Sequence, residues 1–270
     1  MSELTTSLVD GREIRAAPLA FCRELARETG SDLAGAFASL LAEGVWPEPL
    51  ARNAPALSAP EARRLIFSAA VVLGLGGLGG CTALMLARAG VGRLVLCDGD
   101  VFAESNLNRQ AACTTNNLGA GKVRETARIL RDVAPWVRVR VHEEPIGPEN
   151  AARVLFGCHA ALDGLDAVAP RKCALAAARR LRVPFVHAAA AGFSGHVSTF
   201  LPGRPETLDR LYPSGAAEPG PVSVLAPTVN VIAGLAAQEA VRLLCGRPPL
   251  YAGRLAHFDG EAGVLSLVNL

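Results

Sequence analysis

Short apolar runs alternate along this chain with stretches whose apolar positions recur at helical spacing. At 71–100, VVLGLGGLGGCTALMLARAGVGRLVLCDGD, an apolar run, a glycine cluster, an apolar helical stretch and a second apolar run ending at Asp98 predict strand, loop, helix and strand. The pattern continues with a helix over 119–133, a half-buried strand over 136–142, a short helix over 148–156 and a strand over 158–162. A helix over 169–180, strands over 183–188 and 192–201, a proline- and glycine-rich loop over 202–221, and a helix over 227–245 follow. Strands at 255–258 and 264–268 close the chain as a hairpin. Upstream, 18–28 and 31–43 predict two helices ended by Gly44 and Pro47, and a proline-bearing connector over 48–64 leads into a short helix starting at 59–61. The order implies an α/β fold: a doubly wound, mostly parallel Rossmann-like sheet with helices on both faces, antiparallel C-terminal strands and an N-terminal helical appendage. The expected division is an appendage over 1–47 and a main domain over 48–270.

Two uncharged runs, 65–87 and 219–238, approach the length of a membrane span. Gly74, Gly76, Gly77, Gly79 and Gly80 crowd the middle of the first, and Pro221 and Pro227 interrupt the second, so both predict buried core and no membrane partner. At 270 residues, 50% hydrophobic and 19% charged, the composition is that of a globular protein. A net charge of +2 without a basic run makes nucleic acid an unfavourable main partner. Asp10, Arg12, Glu13 and Arg15 interrupt the N-terminus where a secretion signal would be apolar, so the expected location is cytoplasmic. None of the 7 cysteines are spaced C-x-x-C, and Cys81, Cys97, Cys158 and Cys173 fall inside apolar elements as small hydrophobes.

The glycine cluster changes the picture. Gly74, Gly76 and Gly79 fit G-x-G-x-x-G, which lets the backbone approach a phosphate at a helix N-terminus, and Asp98 ends the next strand, where a carboxylate can accept ribose hydroxyls. Alone, that fingerprint suits an NAD-dependent dehydrogenase as well as other nucleotide enzymes. The long asparagine-rich segment 101–118 lies beyond the carboxyl end of a strand, where parallel sheets bind ligands. Lys122 falls in the first turn of a helix, where the dipole disfavours a cation, so it either serves a bound phosphate or is a solvated surface residue. Asp163 and Asp166 flank Gly-Leu at another strand end, and either the pair suits magnesium or Asp166 caps the helix that follows.

Taken together, GLGGLGG at 74–80, D-G-D-x-x-x-x-S-N-L-N-R-Q at 98–110, G-x-G-K-V at 119–123 and D-G-L-D at 163–166, with Arg171 nearby, resemble the ubiquitin-activating and ThiF/MoeB/HesA adenylyltransferases. The resemblance runs from about residue 52 to the C-terminus. It implies an ATP-binding adenylation domain that, with magnesium, converts the C-terminal glycine carboxylate of a β-grasp sulfur carrier ending in Gly-Gly to an acyl adenylate. By position, Gly74, Gly76, Gly77 and Gly79 resemble the nucleotide loop, Asp98 the ribose ligand, and Asp100 its neighbour in the nucleotide-binding motif. Asn106, Arg109 and Lys122 resemble the group that orients and neutralises the phosphates, and Asp166 the magnesium ligand. Residues 50–53 resemble a degraded R-Y-x-R-Q/N segment, in which Arg52 stands where the family reaches the neighbouring subunit's phosphates; this implies a homodimer.

Several positions depart from the family pattern. Pro49 and Leu50 replace the first arginine and the tyrosine, and Ala167 stands where asparagine is frequent. Absent C-x-x-C pairs imply no zinc, and a cysteine-free 202–221 implies no thiolate nucleophile there, so the chain is expected to stop at the adenylate. The competing classes are a non-catalytic nucleotide- or protein-binding module of the same fold, adenylation of a small carboxylate on modified tRNA, which would favour a more basic surface, and the dehydrogenase, which has no need of Lys122 or Asp166.

Overall fold

The computed structural model describes residues 4–205, 208–213 and 222–270. Its centre is an eight-stranded sheet built from β4 (Ala69–Leu73), β5 (Arg93–Cys97), β6 (Arg138–His142), β7 (Ala160–Asp163), β8 (Phe185–Ala191), β9 (Ser194–Phe200), β10 (Arg254–Asp259) and β11 (Val264–Asn269), in the order β11-β10-β9-β8-β7-β4-β5-β6. Strands β4 to β8 pair in parallel; β8, β9, β10 and β11 pair antiparallel, as the hydrophobic pattern predicts.

Both faces of β4, β5, β7 and the first half of β8 are buried, while β6 is a largely exposed edge, and alternation along the buried strands divides the core. Ala70, Val72, Leu94 and Leu96 face one apolar layer, to which α3 (Ala59–Phe67), α4 (Gly77–Ala89), α5 (Lys122–Val133) and α8 (Ala226–Cys245) contribute. Val71, Leu73, Val95 and Cys97 face the other, with α6 (Ala151–Leu155) and α7 (Val168–Arg180). Helix α8 is long and apolar enough by length and composition to cross a membrane, yet 56% of that window is buried in the protein. Buried Glu239 fixes it: its carboxylate accepts from Thr199 Oγ1 at 2.8 Å and from the Leu250 and Tyr251 amides at 3.0 Å, tying the helix to β9 and the segment before β10.

The N-terminal segment is more than helical. The expected helices are α1 (Leu19–Glu28) and α2 (Leu33–Ala42), and before them β1 (Thr5–Val9) and β2 (Arg12–Ala17) form a hairpin that extends to β3 (Trp46–Pro47) as a three-stranded sheet. Its apolar side chains are not separate either: Ala17, Cys22, Phe37 and Trp46 belong to the same cluster as Val72 and Leu94. Phe37 packs on Trp136 with ring centroids 5.3 Å apart, and Asp32 pairs with Arg138 at 2.6 Å. Of the expected loop over 202–221, only 202–205 and 208–213 are described, with a helical turn at Leu208–Arg210; the rest of that expectation lies outside the described residues.

Candidate nucleotide-binding site

The strand order places the site. From β4 the chain moves to β5 on one side, while β7 and β8 build outward on the other, so a crevice opens at the carboxyl ends of β4 and β7. A cavity of about 520 Å³ occupies it. Three glycines let its walls interlock. Gly74 leaves β4 at φ 77°, and a Cβ there would stand 2.7 Å from the Gly164 carbonyl oxygen. One on Gly164 would stand 2.8 Å from the Cα of Gly79, and one on Gly79 would run into the Gly74 carbonyl oxygen. Helix α4 starts against this knot with Gly76 at its N-cap and no side-chain cap, which leaves first-turn N–H groups for an anion.

Asp98 holds the opposite wall. Its carboxylate accepts from the Leu75 amide at 2.6 Å and the Asp100 amide at 2.7 Å, so it fixes the glycine loop while keeping lone pairs free. Burial pushes its carboxyl above the usual range, against the pull of those two amides and of Lys122. Lys122 is 7% exposed, and its ammonium donates to Asp100 at 2.9 Å. The Arg109 guanidinium donates to the Ser105 carbonyl and the Asn108 side chain, both at 2.8 Å, and lines the same cavity.

Asp163 and Asp166 part company. Asp163 is buried; its oxygens accept from the Leu165 amide at 3.0 Å and from His187 Nδ1 at 2.6 Å, with Arg171 Nε 3.5 Å away. It is committed inside the protein, which corrects the expectation that both carboxylates suit magnesium. Asp166 is exposed at the cavity wall and has no hydrogen bond or ion pair to any described residue. The N-cap of α7 is Ala167, without a side-chain bond. The carboxylate is therefore free for a ligand and is not the helix cap.

Gly74, Gly76, Gly77, Asp98, Asp100, Arg109, Lys122 and Asp166 all line the one cavity. Gly79 and Asn106 stand behind it: Gly79 in the glycine knot, Asn106 buried with its Oδ1 accepting from the Ala103 amide at 3.0 Å, so that it shapes the loop that presents Arg109. Arg52 is exposed on the turn Glu48–Asn53, outside the cavity lining, and Leu50 is packed in the core.

Sequence reasoning missed the other end of the cavity. There His196 and His257 face each other across β9 and β10, with Tyr212, Ala189 and Gly195 beside them. Behind His196 lies His187, fully buried, its Nε2 3.1 Å from His196 Nε2 and 3.3 Å from the Tyr212 hydroxyl, which accepts from Arg171 at 2.6 Å. Burial, then the neighbouring His187 and Arg171, pushes His196 down to about 3. Gln110 was also overlooked. It is 6% exposed, lines the cavity, and its Oε1 has no partner. Its place directly after Arg109 was the one available signal; the histidines come together only through strand register. Cys97 also lines the cavity, but burial, with Glu144 and Asp98 nearby, pushes its thiol up to about 12, far from a thiolate.

Residues 50–269 match the ThiF family. The chain belongs to the ThiF family. Among ThiF relatives, the sulfur carrier protein ThiS adenylyltransferase of Escherichia coli is 33% identical over 205 residues, covering 74% of this chain and 81% of that protein. HesA of Leptolyngbya boryana is 34% identical over 199 residues, covering 71% and 70%. MoeZ of Mycobacterium tuberculosis, whose name joins an adenylyltransferase to a sulfurtransferase, is 32% identical over 217 residues; that match covers 76% of this chain but 55% of MoeZ, so the chain spans about half the length of that relative. A crystal structure of E. coli MccB with ATP shares the fold at a TM-score of 0.69 and 19% identity, over 93% of this chain and 85% of that one. The ThiF match covers the sheet, the glycine knot and every cavity residue named above.

Proposed function

We propose that this chain is an ATP-dependent adenylyltransferase that activates the C-terminal glycine carboxylate of a β-grasp sulfur carrier ending in Gly-Gly. The supporting observation is that one cavity joins an uncapped helix start, a buried lysine, Arg109 and the unpartnered carboxylate of Asp166. Adenylyltransferase is also the named activity of the ThiS-specific relative. A carboxylate nucleophile arrives ionised, so its oxygen bonds to the α-phosphorus of ATP as the bond to the bridging oxygen breaks and pyrophosphate leaves, with no proton to move. The residues must then position the two reactants and neutralise phosphate charge.

In this reading the glycine loop and the start of α4 receive the phosphates, and Asp98 takes the ribose hydroxyls. Lys122 and Arg109 balance the phosphate charge. Asp166, exposed and unpaired, has the donor chemistry magnesium prefers and would hold it; bound there with ATP, the ion supplies further charge neutralisation. The chain then stops at the adenylate, because no cavity cysteine is available as a thiolate among the described residues. It acts in the cytoplasm as a homodimer, with Arg52 of each copy reaching the phosphates held by the other.

ATP–pyrophosphate exchange tests this. Exchange should require magnesium and a Gly-Gly carrier. Asp166→Ala should lower it at least about 100-fold while ATP still binds. Mixing Asp166→Ala with Arg52→Ala protein should restore part of the exchange. Carrier-independent exchange, an unaffected Asp166→Ala protein, or failure of the mixture to recover would each remove the corresponding part of the proposal.

A further inference from the structure

Adenylation of a carboxylate uses the nucleotide end of the cavity and calls for no imidazole, yet the other end is built around two. The hydrogen-bond polarity there is fixed from the inside outward. Asp163 is an acceptor and already takes the Leu165 amide on Oδ1, so its 2.6 Å contact with His187 requires the proton on His187 Nδ1. That leaves His187 Nε2 as a lone pair, 3.1 Å from His196 Nε2. Two lone pairs at that distance would repel, so His196 carries its proton on Nε2 and donates it. The Tyr212 hydroxyl, which accepts from Arg171, can also turn its hydrogen to the same lone pair from 3.3 Å, a more distant donor that shares His187 Nε2 without changing its role as acceptor.

The Nδ1 of His196 is therefore an acceptor. It has no hydrogen-bond partner among the described residues, it is not one of the buried unpartnered atoms, and the side chain lines the cavity. The groups that face it are His257 on β10, His187 on β8, and Arg171 and Asp163 behind them. Their balance and burial hold both His187 and His196 below the ordinary histidine range, in the neutral form that an acceptor needs. The wall beside His196 is formed by Ala189, Ala190 and Gly195, none of which carries a side chain larger than a methyl group, so a peptide backbone can come close to it. Such a wall admits a chain without side chains.

We infer that His196 Nδ1 accepts a hydrogen bond from the last peptide N–H of the carrier tail, so that the site selects a peptide C-terminus over a plain carboxylic acid; this rests on the adenylation reading above. His196 is the specificity residue, and Asp163 and His187 are positioning residues that fix which of its nitrogens is bare.

The experiment has two readouts. Nitrogen-15 spectra of the imidazoles in the free protein should show His196 neutral at pH 7, protonated on Nε2 and bare on Nδ1; a proton on Nδ1 overturns the inference whatever the carrier. Pyrophosphate exchange is then compared for a ThiS-type carrier ending in Gly-Gly and for the same carrier with its last peptide linkage replaced by an ester, which puts an oxygen in place of the N–H donor. The ester should raise the carrier KM about tenfold. His196→Ala should raise the KM for the amide tail to the ester level without changing the KM for ATP, and His196→Gln, which keeps a side-chain acceptor, should retain the preference. Equal KM values for the two tails in the wild type overturn this inference alone. Absence of exchange with either tail while ATP binds overturns the adenylation reading and this inference with it.

Discussion

Lys122 is in a place that helix electrostatics disfavours, the first turn of α5, and it is nearly buried. Its partner Asp100 has a side chain 71% exposed, so the pair is worth little and does not by itself account for a buried cation. The phosphate that the proposed adenylation brings into the cavity would supply the missing counter-charge. Gly79 is constrained differently, by space: a Cβ there meets the carbonyl oxygen that Gly74 turns inward. Gly79→Ala should destabilise the protein by about 1–3 kcal/mol in urea denaturation and weaken ATP binding in calorimetry, because relief of the clash must move the glycine loop. Unchanged values for both would mean that the knot is not needed. These residues were legible because their chemistry is local: glycine spacing, a carboxylate at a strand end, a lysine at a helix start. His187, His196 and His257 were not, because β8, β9 and β10 bring them together and no spacing in the chain encodes that register. Asp163 and Asp166 looked alike for the same reason, since only the fold brings His187 to one and solvent to the other.

At the scale of elements, apolar periodicity located the central strands β4, β5, β7, β8 and β9 and the large helices because each has a strongly buried face; β6 and β11, at the sheet edges, are largely exposed and were marked by their alternation and by the closing turn instead. The β1–β2 hairpin lacked that signal: Thr5–Val9 is exposed except at Val9, so its side chains do not alternate between core and solvent. Its turn was nevertheless written in the chain. Asp10 and Gly11 have φ of 47° and 73°, the left-handed pair that a two-residue hairpin requires and that Asp-Gly supplies. Helix α8 shows the opposite case, an apolar element whose position depends on one charge. Glu239 accepts one hydroxyl and two amide hydrogens inside the core. Glu239→Ala should therefore cost about 3 kcal/mol, read from urea denaturation, since both amides lose a buried acceptor. A loss below about 1 kcal/mol would mean that the segment before β10 relaxes to satisfy them elsewhere.

Over the whole molecule, one apolar layer runs from the N-terminal hairpin and helices through α3 and α4 to the sheet, so the segment before residue 48 braces the face of the sheet that carries the glycine loop. The other layer, with α6 and α7, supports the loop that presents Asp166. The cavity lies where elements rooted in the two layers meet; in the proposed function one side takes the nucleotide, and the other, walled by small residues and histidines, takes the acyl group. Intact mass spectrometry of a Gly-Gly sulfur carrier after incubation with this protein, ATP and magnesium tests that division of labour most directly. The account predicts a carrier heavier by one adenylyl group, AMP less one water, located at its C-terminal glycine, with no carrier attached to the enzyme through a cysteine. A carrier of unchanged mass, with ATP bound but intact, would contradict it.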